Sequence, residues 1–245
     1  MTPMSALVII LLILLCAGAS FVQRVSGFGF GIFIMTALPY IMPSYGEATT
    51  LSGLLSAAQS FFVVIHIWRV IDWRRLLPIL AAFLVVSFFA VQFVAQVNDV
   101  MLKHILGVVL IVMSLYFLIF SQRISIRPTV GMQLSMGALS GAMGGLCAMQ
   151  GPPAVLYFVA SETDKIKYLA LTQAYFFIGN IAMTFFRAEN GFLTATVGYS
   201  WLLAFGGIFI GNWLGGMVFD RISTHVLRLI IYSYMAVSGV VALLS

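Results

Sequence analysis

The chain has 245 residues, of which 62% are hydrophobic and 8% charged, with a mean hydropathy of +1.11. Soluble domains carry roughly 25% charged residues, and their surfaces need more polar cover than this chain can supply, which excludes a soluble enzyme, a disordered chain and a disulfide-stapled module. The excess of twelve Lys and Arg over seven Asp and Glu falls in short loops between apolar runs, too sparse for a nucleic-acid surface.

In chain order the apolar runs cover 6–22, 32–42, 48–68, 76–97, 101–120, 130–149, 152–160, 168–186, 197–219 and 226–244. Backbone groups inside a bilayer must satisfy one another, so such runs are helices or strands of a closed barrel. Barrel strands alternate with period two, and these runs do not. The expectation is an all-α polytopic membrane protein. The first run has no Lys or Arg ahead of it and reads as part of the mature fold, not as a signal peptide. Cys16 and Cys147 lie inside apolar runs, outside any CxxC or Cys/His pattern, and read as small buried residues.

Two of the runs are too short to cross. At a rise of about 1.5 Å per residue, the run 152–160 spans ~14 Å, about half of a ~30 Å hydrocarbon core. The run 32–42 carries Pro39. Each short run follows a break, Ser26-Gly27-Phe28-Gly29-Phe30-Gly31 in one case and Gln150-Gly151-Pro152-Pro153 in the other. Proline near a first helical position marks a helix start. Both halves then show a long run, a break, a short run and three full-length helices. Gln59-Ser60-Phe61-Phe62 is echoed by Gln173-Ala174-Tyr175-Phe176, and Arg69 and Arg187 each close the first full helix of a half. The chain therefore divides into a membrane repeat over 1–121, a cytoplasmic linker over 122–129 and a second membrane repeat over 130–245.

Charge orients the repeats. Arg69, Arg74 and Arg75 share one tight loop, which the positive-inside bias assigns to the cytoplasm. If 130–160 crosses once, the basic residues divide almost evenly between the two sides. If it enters and returns, Arg69, Arg74, Arg75, Arg123, Arg127, Lys165, Lys167, Arg221 and Arg228 face the cytoplasm, and Lys103 and Arg187 face out. The rule prefers the re-entrant arrangement. The first hairpin then enters and leaves from outside, both termini lie outside, and the second repeat is inverted relative to the first. Inverted repeats with helices broken at the midplane are a secondary-transporter pattern.

A helix that starts at membrane depth aims unpaired N–H groups and a positive dipole end at the midplane. Gly27, Gly29 and Gly31 permit close approach to the backbone, while Gly151, Pro152 and Pro153 fix the second helix start. Together they suit an anion; the same residue types also serve tight helix packing. Arg24 has two readings, direct pairing with the anion or snorkelling to the outer headgroups. Ser26, Gln59, Gln150, Gln173 and Asn180 can donate to oxyanion oxygens, and can equally tie helices together. His66, Trp68 and Trp73 read as interfacial. Gly27-Phe28-Gly29-Phe30-Gly31 has no Lys-Ser/Thr after it and is not a nucleotide loop. No nucleophile, ligand cluster or acid–base pair converges, so neither an enzyme nor a cofactor is expected.

Ser26-Gly27-Phe28-Gly29-Phe30-Gly31, the stretch Leu51-Ser52-Gly53-Leu54-Leu55-Ser56 with Gln59, then Arg69 with Asp72-Trp73, and Gly144-Gly145 with Gly151-Pro152-Pro153 resemble the TauE/SafE sulfite exporter family. The resemblance implies carriage of sulfite, sulfonates or related organosulfur anions, as export, across the bacterial inner membrane. It implies a substrate held between the two breaks. Its partners would be that small anion and the lipid bilayer, with no nucleic acid. Where the family often has a richer glycine run in the second half, this chain has Leu146-Cys147-Ala148-Met149-Gln150, a departure that bears on which anion is carried, since Gln150 would read it differently. Two other readings stay open: a passive anion channel, and an importer of thiosulfate or other organic anions coupled to an ion gradient.

Overall fold

The computed structural model describes residues 5–120, 128–218 and 224–244, and every regular element in them is helical. Most of the expected linker, 122–127, lies outside the described residues. Helix α1 (Ala6–Ser26) is followed by the short α2 (Phe30–Ile34) and α3 (Leu38–Ile41), then α4 (Tyr45–Ile67), α5 (Trp73–Val94) and α6 (Asp99–Phe120). The later part contains α7 (Val130–Cys147), α8 (Gly151–Ser161), α9 (Lys165–Glu189), α10 (Ala195–Val218) and α11 (Thr224–Leu244).

Local chemistry sets the ends. Side-chain oxygens of Ser5, Ser44, Asp72, Thr129 and Asp164 accept the first backbone N–H groups of α1, α4, α5, α7 and α9. The single short helix expected over 32–42 is split in two. Pro39 has no N–H and its ring collides with the carbonyl four residues back, so α2 cannot run on into α3. Thr36 fills the joint by donating to Phe33 O at 2.6 Å.

Six described helical stretches, including 6–26, 45–70 and 165–189, are long and apolar enough to cross a membrane. Leu202 is 67% exposed, Phe89 66% and Trp213 66%, each on a long helix. Large side chains bared on this scale belong in hydrocarbon and not in water. The protein is a multi-pass membrane protein.

Four helix pairs carry the packing: α1 on α10, α5 on α7, α4 on α9 and α6 on α11. The first two are parallel and sealed by glycine at every fourth position. On α10, a Cβ at Gly207 would meet Ile13 O at 2.7 Å and one at Gly211 would meet Ala17 O at 2.2 Å. On α7, a Cβ at Gly137 would meet Ile79 O at 2.5 Å and one at Gly141 would meet Phe83 O at 2.6 Å. Small residues at this spacing let two backbones approach where lipid supplies no hydrophobic drive.

The chain folds back at both breaks. Gln133, in the first turns of α7, donates to Arg75 O at 2.6 Å. Glu162, just past α8, takes Arg75 Nη1 at 2.8 Å. The two ends of the α7–α8 hairpin thus meet at one residue. At the other hairpin, α1 runs parallel to α10, and Thr194, just before α10, donates to Glu47 in the first turn of α4 at 2.6 Å. So α4 starts on the side where α1 started.

Candidate functional site

The helix breaks are backbone structures. Gly27 (φ 82) ends α1, with its N–H closing on Gln23 O, and Gly29 (φ 100) starts α2. Both sit in the left-handed region where glycine carries no Cβ penalty. Ser26 Oγ lies 2.7 Å from Val22 O and 2.5 Å from Phe28 O, sharing its one proton across the turn. The second break begins earlier than its glycine and prolines suggest. Ala148 (φ 55) ends α7, and α8 starts at Gly151. The N–H groups of Ala148 and Met149 close on Gly144 O at 2.9 Å and Met143 O at 3.2 Å, a left-handed cap that alanine fills in place of the usual glycine.

The two breaks touch. A Cβ on Gly31 would stand 2.1 Å from Ala148 O. Beside this contact is a small cavity lined by Gln23, Gly29, Gly31, Ser56, Gln150 and Gly151, with Phe176 and Met149 among its apolar walls. Its volume is about 20 Å³, enough for about one water molecule.

The polar wall is a linked set of neutral groups. Gln23 Nε2 donates to Gln173 Oε1 at 3.3 Å, and Gln173 Nε2 donates to Gly27 O at 3.3 Å. Asn180 Nδ2 donates to Ser56 Oγ at 3.1 Å and to Phe176 O at 2.8 Å. Behind Gln150, Tyr175 donates to Ser140 Oγ at 2.7 Å, and Ser140 donates to Gln150 O. Positions from both halves of the sequence thus face one small space.

The family model described as "Sulfite exporter TauE/SafE" matches residues 10–242. The chain belongs to the TauE/SafE sulfite exporter family. The match spans both breaks and the cavity between them. No curated protein and no solved structure matches the chain.

Within this TauE/SafE protein the expected site residues separate into groups. Gly29, Gly31, Gln150 and Gly151 line the cavity. Gln173 and Asn180 stand behind it as hydrogen-bond partners, and Ser26 and Gly27 shape the first turn. Pro152 and Pro153 are buried in the first turn of α8. Gln59 is elsewhere: it exchanges two amide hydrogen bonds with Asn212, at 2.9 and 2.8 Å, and accepts from Ser20 at 2.8 Å. That is helix glue. Arg24 is exposed and its stem lies over Gly215 of α10, where a Cβ would be 2.8 Å away.

Three residues escaped the sequence reading. Gln23 and Ser56 line the cavity, hidden inside apolar runs beside more conspicuous neighbours. Arg187, expected to face out, is 1% exposed. The signal for it was periodic: Gln173, Asn180, Thr184 and Arg187 fall on one face of α9 at helical spacing. Thr49, Gly53, Ser56 and Ser60 form the matching stripe on α4.

Proposed function

We propose that this TauE/SafE protein is a secondary carrier that exports sulfite or a related organosulfur anion across the bacterial inner membrane, by alternating access to the cavity between the two helix breaks. The observation that carries the proposal is the meeting of both breaks at one neutral polar cavity. Gln23, Gln150 and Ser56 supply amide and hydroxyl donors there. The N–H of Gly151 at the first position of α8 has no carbonyl within its own helix to bond, and the positive dipole end of the helix favours an anion. Pro152 and Pro153 contribute shape and no donor.

A site of neutral donors holds an anion without trapping it, as a carrier requires. The space between the breaks is narrow, as suits a carrier that opens around its substrate. That supports a carrier over a standing channel. A cell interior negative by 100 mV drives each exported negative charge with about 2.3 kcal/mol, so export runs without a coupled ion or cofactor. The paired parallel seams and the return of α7–α8 to Arg75 support two inverted repeats, with both termini outside. Arg24, whose stem lies over Gly215 near the far end of α10, then sits toward the cytoplasmic headgroups.

Purified protein in proteoliposomes loaded with sulfite tests this. Imposed interior-negative voltage should accelerate efflux, saturably in sulfite. Voltage-insensitive efflux, or uptake that needs an ion gradient, would overturn it.

A further inference from the structure

We propose that Arg187 is a second anion-binding station, reached from the cavity along the seam between α4 and α9. The inference rests on the reading of the protein as an oxyanion carrier. Arg187 is the sole buried cation among the described residues. Its Nη1 donates to Thr49 O at 3.0 Å and its Nη2 to Gly144 O at 2.9 Å. Carbonyl dipoles replace some of the lost hydration but leave the charge whole. Among the described residues no carboxylate lies within ion-pair distance of it. The nearby C-terminal end of α7 adds only a partial negative charge. An ionisable side chain held this way inside a membrane bundle marks an ion pathway more often than a strut.

The guanidinium also stands one residue behind the cavity wall on two sides. Asn180, which donates to Ser56 of the wall, faces Gly53 together with Thr184 and Arg187. A Cβ on Gly53 would lie 3.0 Å from Arg187 Nη1, 3.6 Å from Asn180 Oδ1 and 3.8 Å from Thr184 Oγ1. Gly144, which accepts from Arg187, backs onto Gln150, whose Cβ would be 3.0 Å from a Cβ placed there. An anion leaving the cavity past Ser56 and Asn180 meets Arg187 next. Its oxygens can replace a carbonyl at the guanidinium fork, whose planar donors match an oxyanion two at a time. The cavity supplies selectivity without charge, and Arg187 supplies the charge.

The alternative is that Arg187 only staples α7 to α4. The two roles separate in sulfite affinity measured beside thermal stability on the purified full-length protein. Arg187→Gln removes the charge, Arg187→Lys keeps it without the fork, and Gly53→Ala presses on Nη1, the movable end of a flexible side chain. Sulfite Kd should rise roughly tenfold or more in Arg187→Gln, the scale of a lost charged hydrogen bond, and less in Arg187→Lys. Gly53→Ala should weaken binding at near-parental Tm. Parental sulfite affinity in folded Arg187→Gln would overturn the inference. If that variant does not purify folded, parental affinity in both Arg187→Lys and Gly53→Ala would overturn it. A parent protein that binds neither sulfite, an alkyl sulfonate nor thiosulfate would overturn the carrier reading itself, and this inference with it.

Discussion

Gly31 and Ala148 hold the two helix breaks in backbone contact, with no room for even one methyl group between them: a Cβ on Gly31 would sit 2.1 Å from the Ala148 carbonyl oxygen. Backbone cannot swing aside as a side-chain tip does. Gly31→Ala should therefore push the breaks apart, destabilise the protein by about 1–3 kcal/mol as overpacking does, and abolish sulfite export. Thermal unfolding and proteoliposome efflux check both parts.

Ala148 occupies a left-handed conformation that a β-branched residue adopts only with strain. Ala148→Val should cost roughly 1–3 kcal/mol. Ala148→Gly should be tolerated, because the relief of the Cβ penalty is offset by the greater freedom of glycine in the unfolded chain. A thermal-shift comparison of the pair should order them Gly at or above parent, Val well below.

Gln150 lines the cavity and Arg24 does not. Gln150→Ala should weaken sulfite binding about threefold to tenfold, the net worth of one neutral hydrogen bond. Arg24→Ala should leave sulfite affinity unchanged. Equal losses in both variants would show that the anion sits nearer the exposed end of α1.

Asp164 caps α9 by accepting from Ile166 N at 2.8 Å and Lys167 N at 3.0 Å. The bond from Lys167, then that from Ile166, holds its carboxyl below the usual carboxylate range. A depressed folded pKa means that the cap's contribution is present above the unfolded value, about 3.9, and is lost as pH falls through the lower folded one. Amide exchange at Ile166 and Lys167 should accelerate in that acid window. In Asp164→Asn, which keeps an acceptor but cannot titrate, the acceleration should vanish.

The architecture was legible because bilayer chemistry leaves few options. Apolar runs became helices, and both Gly/Pro-rich breaks became real interruptions. What the sequence hid depended on neighbours. Pro39 split one short helix through a clash that run length does not register. Ala148 took a role normally signalled by glycine. Arg187 near the end of an apolar run looks interfacial until α4 and α7 are known to cover it. Gln59 is conspicuous as a polar group inside a membrane run, but its partner Asn212 lies far away in sequence.

The parallel glycine seams join the long arm of each hairpin to a helix from the opposite half, α1 to α10 and α7 to α5. During synthesis α1 emerges long before α10 exists. The first hairpin must therefore wait in the membrane with its seam unsealed, while α7 finds α5 already in place. Assembly is thus ordered, with the second hairpin docking as it is made and the first only when the chain is nearly complete. The two halves are not separable modules but a clasp, closed by the last helices to leave the ribosome.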